Sequence, residues 1–310
     1  MYTIADKSLT FLSGCIDDYP EGIVIPVDKP YRWTSADVIR KLKYAAFRKF
    51  SKKNLKVGHA GTLDPLATGV LLVCIGNACK RAQELQDHDK EYIADVTFGA
   101  TTPSYDLEKE IDRKYPYEHI TENSVRDVLA RFSGEQDQVA PLFSAKSVDG
   151  VRAYELARKL YKEGKELDDT GLISTSRITI HELELLDFGI GLEPWVQSLD
   201  CGACGEDWTG GRVNAVAYDQ SSKGVAGIGP GKEETASSRI NVAENSGLTL
   251  PTARIRVVCS KGTYIRALAR DLGEALESGA HLTGLIRSRS GQFEVSKSNS
   301  LDSALHLLGI

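Results

Sequence analysis

Six apolar residues in a row, Val70-Leu71-Leu72-Val73-Cys74-Ile75, constrain the fold of this chain more than any other stretch. So short a run, rich in valine and entered from Gly69, reads as a strand buried within a covered sheet. Further strand signals lie at residues 22–27, closed by Asp28-Lys29-Pro30, and at residues 91–98, where alternation is imperfect. Residues 176–186, 253–259 and 282–288 read the same way. Thr34-Ser35-Ala36-Asp37 reads as a helix N-cap, and Val38, Leu42 and Ala45 mark one face of the helix that follows. Helices are also expected at residues 125–132, 153–162 and 301–308. Another follows Gly262-Thr263-Tyr264, with Leu268, Leu272 and Leu276 at four-residue spacing. Strands and helices that mix without regular βαβ alternation, and without an internal repeat, predict an α+β fold.

The 310 residues suffice for a large core, and residues 1–310 are expected to form a single domain. No stretch approaches the roughly 20 apolar residues of a membrane-spanning helix. The first residues lack the basic-then-apolar pattern of a signal peptide, so a cytoplasmic location is expected, with no membrane association. Six scattered cysteines fit reduced thiols, and the lone Cys201-Gly-Ala-Cys204 has no second pair or histidine at ligand spacing. No metal site is therefore assigned. Residues 194–251 differ from their surroundings, with nine glycines, seven acidic and four basic residues and little periodicity. They read as a flexible surface insertion between two neighbouring strands.

The net charge of −5 does not announce a polyanion partner, but distribution counts for more than the sum. Arg40, Lys41, Lys43, Arg48, Lys49, Lys52, Lys53 and Lys56 lie in a stretch without acidic residues between Asp37 and Asp64. Such a run is ordinarily a solvated helix face. Here it precedes the most unusual segment of the chain.

That segment is Gly58-His59-Ala60-Gly61-Thr62-Leu63-Asp64-Pro65-Leu66-Ala67-Thr68-Gly69, within what reads as a glycine-rich loop over residues 57–69. Gly58, Gly61 and Gly69 permit tight turns and close approach of another backbone. Pro65 disfavours the helical region for Asp64, so the carboxylate is held extended between two leucines, as a preorganised nucleophile would be. Asp-Pro is equally a good helix start, with Asp as N-cap and Pro in the first turn. A phosphate loop lacks its Gly-Lys-Ser/Thr ending. The residues alone leave the choice open.

The same segment resembles the signature of TruB-type tRNA pseudouridine synthases, which act on uridine 55 of the T arm. Asp28-Lys29-Pro30 with Thr34-Ser35, Lys90-Glu91-Tyr92, Ser260-Lys261-Gly262-Thr263-Tyr264-Ile265-Arg266 and Ala280-His281-Leu282 running on to Leu285 and Arg287 match in the same order. The resemblance covers residues 22–190 and 252–290. It implies the pseudouridine-synthase fold, a mixed and mostly antiparallel sheet flanked by helices around a central catalytic cleft. It further implies Asp64 as the catalytic aspartate, Tyr92 as the tyrosine that stacks on the base and takes part in proton transfer, and Arg266 as the partner of Asp64. Tyr264 and Leu285 then line the pocket, His59 touches the RNA near the extruded nucleotide, and Lys29 lies near the active site. Many family members carry a C-terminal RNA-binding PUA domain, and no segment matching one is evident here.

The implied reaction breaks the bond from N1 to ribose, turns the base, and joins C5 to the sugar. It is redox-neutral and gains no group, so no cofactor is expected. Asp64 acts through its carboxylate on the ribose or on the base, kept ionised by Arg266, and C5 needs a base, for which Tyr92 is the candidate. The partner is the T stem-loop of tRNA, gripped through its phosphates by the basic run, with no protein partner implied. Each residue has a plainer reading. Tyr92 and Tyr264 suit a core, Arg266 a surface helix turn, His59 its own loop, and Lys29 solvent. Two rival functions follow, a non-catalytic tRNA-binding or folding chaperone and a carboxylate-nucleophile hydrolase. The first needs none of the Asp64, Tyr92, Tyr264 and Arg266 constellation; the second leaves the basic run unexplained.

Overall fold

A computed structural model describes residues 1–144, 147–148, 151–153, 175–192, 240, 242–243 and 249–310. The CxxC pair, nearly all of the expected helix at residues 153–162 and most of the expected insertion at residues 194–251 lie outside the described residues.

The strands are β1 (Thr3–Ile4), β2 (Ile23–Lys29), β3 (Val57–Ala60), β4 (Thr68–Ile75), β5 (Lys90–Phe98), β6 (Ala100–Thr101) and β7 (Arg113–Lys114). They continue with β8 (Gly134–Val139), β9 (Ser147–Val148), β10 (Val151–Arg152), β11 (Thr175–Ile190), β12 (Pro251–Cys259), β13 (Ala280–Ser290) and β14 (Phe293–Glu294). Ten of them form one sheet in the order β1-β2-β4-β13-β5-β12-β11-β8, with β3 beside β4 and β14 beside β13. Its pairings are antiparallel except β1 with β2 and β4 with β13. The helices are α1 (Ser35–Phe50), α2 (Ala82–Asp87), α3 (Glu122–Arg131), α4 (Ile265–Ala275) and α5 (Leu301–Leu307). This is the expected α+β architecture. Strands β11 and β12 pair down to Ile190 opposite Pro251, so the chain leaves and re-enters the sheet at adjacent points.

The continuous apolar run is explained by what covers it. Successive side chains of a strand point to opposite faces. Leu71, Val73 and Ile75 of β4 meet Val38 and Leu42 of α1 and Leu301 and Leu305 of α5. Val70, Leu72 and Cys74 pack on the other face with Leu85 of α2 and Phe293. Helix α1 begins as its sequence dictates: the Thr34 side chain accepts from the Asp37 amide, while the Asp37 carboxylate accepts from the Thr34 amide.

In the half of the sheet built on β5, β12 and β13 only one face joins the apolar core. Ala94, Val96, Ile255, Val257 and Leu282 pack against Val125 and Leu129 of α3 and Leu268 and Leu272 of α4. The opposite face carries ion pairs, among them Arg254 on Asp95 at 2.8 and 2.9 Å and Arg256 on Glu91.

The two halves meet along a short parallel seam in which Ile286 and Arg287 of β13 pair with Thr68 and Gly69 of β4. A Cβ at Gly69, where φ is +99°, would lie 2.3 Å from the Arg287 carbonyl oxygen, so the seam closes only on glycine. Beyond it, the β4 edge passes to β3, which pairs from Ala60 opposite Leu72 to Val57 opposite Ile75. The glycine-rich segment is therefore half strand: residues 57–60 belong to the sheet, and only residues 61–67 form a loop. Glycine at position 58 allows this, since its φ is not positive and an added Cβ there would meet nothing within 4 Å.

Candidate active site

The loop of residues 61–67 lies in the fork between β3 and β13, and its backbone is held at nearly every step. Gly61 turns with φ +95°, a conformation that favours glycine. Arg287, 2% exposed, donates to the carbonyls of Gly61 at 3.2 Å and Val70 at 2.7 Å. The Ser35 hydroxyl at the start of α1 accepts from the Leu63 amide at 2.9 Å and donates to the Leu63 carbonyl at 3.1 Å. Leu63 and Ala67 sit in the core. After Asp64 the chain makes one turn, the Ala67 amide bonding the Asp64 carbonyl at 3.1 Å, and enters β4. No helix starts at Asp64-Pro65, which removes the N-cap reading: strand β4 captures the segment first.

The Asp64 carboxylate meets Arg266 in a two-pronged ion pair, Nε to Oδ2 and Nη2 to Oδ1, both 2.9 Å. Arg266 enters from the first turn of α4 and is 5% exposed, whereas the Asp64 side chain is 34% exposed. The guanidinium also donates to the carbonyls of Ser104 at 3.1 Å and Phe143 at 2.8 Å, so a buried charge is fully partnered. Burial opposes that charge, but Asp64 and Asp106 outweigh it and the Arg266 pKa rises. Asp106, 3.7 Å from Arg266, is pushed up to about 6 by burial, against the pull of Arg266 and of the Ser104 hydroxyl. One guanidinium thus faces two carboxylates in different environments, one open and one shut.

These groups border a cleft of about 310 Å³, open to solvent, whose apolar side is built from Leu66, Ala67, Leu282 and Leu285. That wall lies on a β-bulge, where the pairing of β13 with β5 slips between Leu282 and Gly284. Of the residues expected from sequence, Asp64, Arg266 and Leu285 line the cleft, and the others are not part of its lining. Tyr92 is buried in the same core as Leu63, Ala67 and Leu285, and burial raises its pKa. Tyr264 immediately precedes α4 and is half-buried. Gln138 clamps its backbone from β8, accepting from the Tyr264 amide at 2.8 Å and donating to its carbonyl at 3.2 Å. His59 lies on β3, its pKa lowered by burial and then by Arg287, and its buried Nδ1 has no partner among the described residues. The plainer readings of Arg266 and Lys29 fail, because both are buried. Lys29 is fully enclosed. Its ammonium donates to the carbonyls of Pro30 at 2.8 Å, Trp33 at 2.7 Å and Pro65 at 3.2 Å. Burial lowers its pKa to about 7 in spite of the nearby Asp64 charge.

The basic run projects outward. Arg40, Lys41, Lys43 and Arg48 are exposed on α1, Lys52, Lys53 and Lys56 are exposed beyond it, and Lys49 is half-buried. Arg40 pairs with Asp37 and Lys52 with Asp17, while Lys41 lies 5.1 Å from the centre of the Trp33 ring and Lys49 4.9 Å from Phe11.

Sequence reasoning missed Asp106, the Ser35 clasp and the bracing role of Arg287. Asp106 had one local signal. Ser104-Tyr105-Asp106 is a turn in which the Asp106 carboxylate accepts from the Ser104 hydroxyl and the Glu108 amide, a habit of Ser and Asp in loops. Among the described residues no three His, Cys, Asp or Glu side chains gather as a metal site, and no helix is long and apolar enough to cross a membrane.

The solved chain in a Cbf5-Nop10-Gar1 complex superposes with a TM-score of 0.51 at 21% identity, covering 97% of this chain and 61% of that one. The fold is that of the pseudouridine synthases. At the sequence level, residues 48–197 match the profile described as TruB family pseudouridylate synthase (N terminal domain). The proteins described as tRNA pseudouridine synthase B from Phocaeicola vulgatus and Bacteroides fragilis are each 44% identical to this chain. The first covers 92% of this chain and 93% of its own length, the second 90% of each. The chain belongs to the TruB family of pseudouridylate synthases, enzymes of the isomerase class.

Proposed function

We propose that this enzyme converts uridine 55 in the T loop of tRNA to pseudouridine in the cytoplasm, with Asp64 as the nucleophile. The observation that carries the reading is the half-exposed Asp64 carboxylate, locked two-pronged to a buried arginine at the edge of an apolar-walled cleft. A carboxylate so fixed has little freedom still to lose in the reaction, which favours attack on a substrate held beside it.

The target uridine must leave its stack to reach this cleft. Leu66, Ala67 and Leu285 receive the base, and the bond from N1 to C1′ breaks under the action of Asp64. After the base turns, C5 joins C1′ and its proton must leave. Tyr92 takes part in that transfer. It is the candidate base, buried in the core shared by Leu63, Ala67 and Leu285 on the cleft's inner side. The exposed cations of residues 40–56 hold phosphates of the stem-loop, so affinity falls as salt rises.

Incubating the purified protein with an unmodified tRNA transcript, and mapping pseudouridine by chemical labelling, tests the reading. Signal is expected at the T-loop uridine; wild-type protein that yields none there overturns it. Asp64→Ala is expected to abolish the signal while tRNA affinity stays within about threefold, and retained turnover would remove Asp64 from its role.

A further inference from the structure

Residues 30–33, between β2 and α1, bring Tyr31 to the edge of the cleft as a lip whose shape is set from within. The buried Lys29 ammonium bonds the carbonyls of Pro30 and Trp33, on either side of Tyr31 and Arg32, and ties both to the Pro65 carbonyl beside the nucleophile. Arg32 adopts φ +65°, a left-handed conformation that costs a residue with a Cβ roughly 1–3 kcal/mol and persists only where the surroundings impose it. A strained, internally braced turn beside a reaction site calls for a reason.

Tyr31 supplies one. It lines the cleft together with Asp64 and Asp106, facing a largely apolar wall. Its hydroxyl makes no hydrogen bond to any described residue. The other polar side chains at the cleft are already engaged: Asp64 and Asp106 face Arg266, and Thr283 bonds Thr97 at 2.9 Å. Burial, aided by Asp106 and opposed by Arg32, raises the phenol pKa, so at neutral pH the group keeps its proton to donate. An extruded uridine brings oxygens on the base and on the ribose into a half-dry space, where an unpaired acceptor costs about 1–3 kcal/mol.

We propose that Tyr31 is a substrate-reading residue, its hydroxyl donating a hydrogen bond to an oxygen of the extruded uridine. The inference rests on the uridine-isomerising reading above and adds a contact to it. Lys29, by bracketing the lip, is the positioning residue for that contact.

Tyr31→Phe removes the hydroxyl and leaves the ring in place. With a T-stem-loop RNA we expect kcat/KM to fall about tenfold, with the melting temperature of the protein unchanged. The same comparison on RNAs carrying 2′-deoxyuridine, 2-thiouridine or 4-thiouridine at the target position identifies the acceptor. On the analogue that lacks it, wild type and variant should differ by less than twofold. A variant within twofold of wild type on the uridine RNA, or an equal loss on every analogue, overturns the proposal. If wild-type protein forms no pseudouridine at all, it is the functional reading that fails, so the two failures are separable. Should Tyr31→Phe prove unstable, Tyr31→Leu, which keeps an apolar wall and has no side-chain donor, gives the same comparison.

Discussion

The two halves of the sheet solve different problems. Around β2 and β4 both faces are covered and β4 is buried along its whole length. Around β5, β12 and β11 one face is apolar and the other is a lattice of arginines and carboxylates, partly buried on β5 and β12 and exposed on β11 and β8. The first half carries Asp64 and Lys29, and the second carries Tyr92, Tyr264, Leu285 and Arg266. The Arg266 guanidinium meets the Asp64 carboxylate across 202 residues of sequence. The site is a property of the junction, and neither half contains it.

Arg266→Leu attacks that junction directly. It leaves the Asp64 carboxylate and the carbonyls of Ser104 and Phe143 without this donor, and removes the positive charge that faces Asp106. We expect a loss of about 3–5 kcal/mol, read from the midpoint of denaturant unfolding, together with loss of pseudouridine formation. A loss below about 1 kcal/mol would mean that the halves hold together without the bridge. Arg266→Lys should not restore activity, because an ammonium cannot reproduce the two-pronged contact.

Asp106 tests the shut side of the same bridge. Its folded pKa, about 6, lies above the usual carboxylate value of 3.8. Between those limits the folded state keeps a proton that the unfolded state has released, so this group lowers stability as pH rises through the window. Asp106→Asn cannot ionise, and the variant should gain on wild type by on the order of 2 kcal/mol between pH 4 and pH 7. Parallel stability curves for the two proteins would show that Asp106 is not held up by burial. The open face should matter least. Arg177 pairs with Glu135 and Asp137 there, all three well exposed, and Arg177→Ala should leave the unfolding midpoint where it was.

The same contrast explains what could be read in advance. The run at residues 70–75 announced a strand covered on both sides because every position in it is apolar, and the Thr34 and Asp37 cap of α1 follows from residues three apart. Strand β3 was hidden by its glycine and histidine, since it forms only because β4 offers it an edge. Asp64 and Arg266 were legible through resemblance alone; no local pattern pairs residues so far apart. Lys29 defeats the habit of placing lysines in water because its three acceptors are backbone carbonyls, which every residue possesses and none advertises. Asp106 and Arg287 belong to the same class. Arg266 beside Asp106, and the Gly61 and Val70 carbonyls that Arg287 holds, lie far off in the chain, so the sequence carries the Ser104–Asp106 turn but not these meetings.

The Ser35 clasp has a mechanical consequence. One hydroxyl grips both polar atoms of the peptide residue just before the nucleophile, and that hydroxyl belongs to the first turn of a rigid sixteen-residue rod whose far surface bristles with cations. Tugging the rod drags Leu63, and with it the reacting oxygens, through two short bonds instead of a slack tether. A polyanion leaning on that distant surface would therefore press on the same lever that sets the aim of the carboxylate.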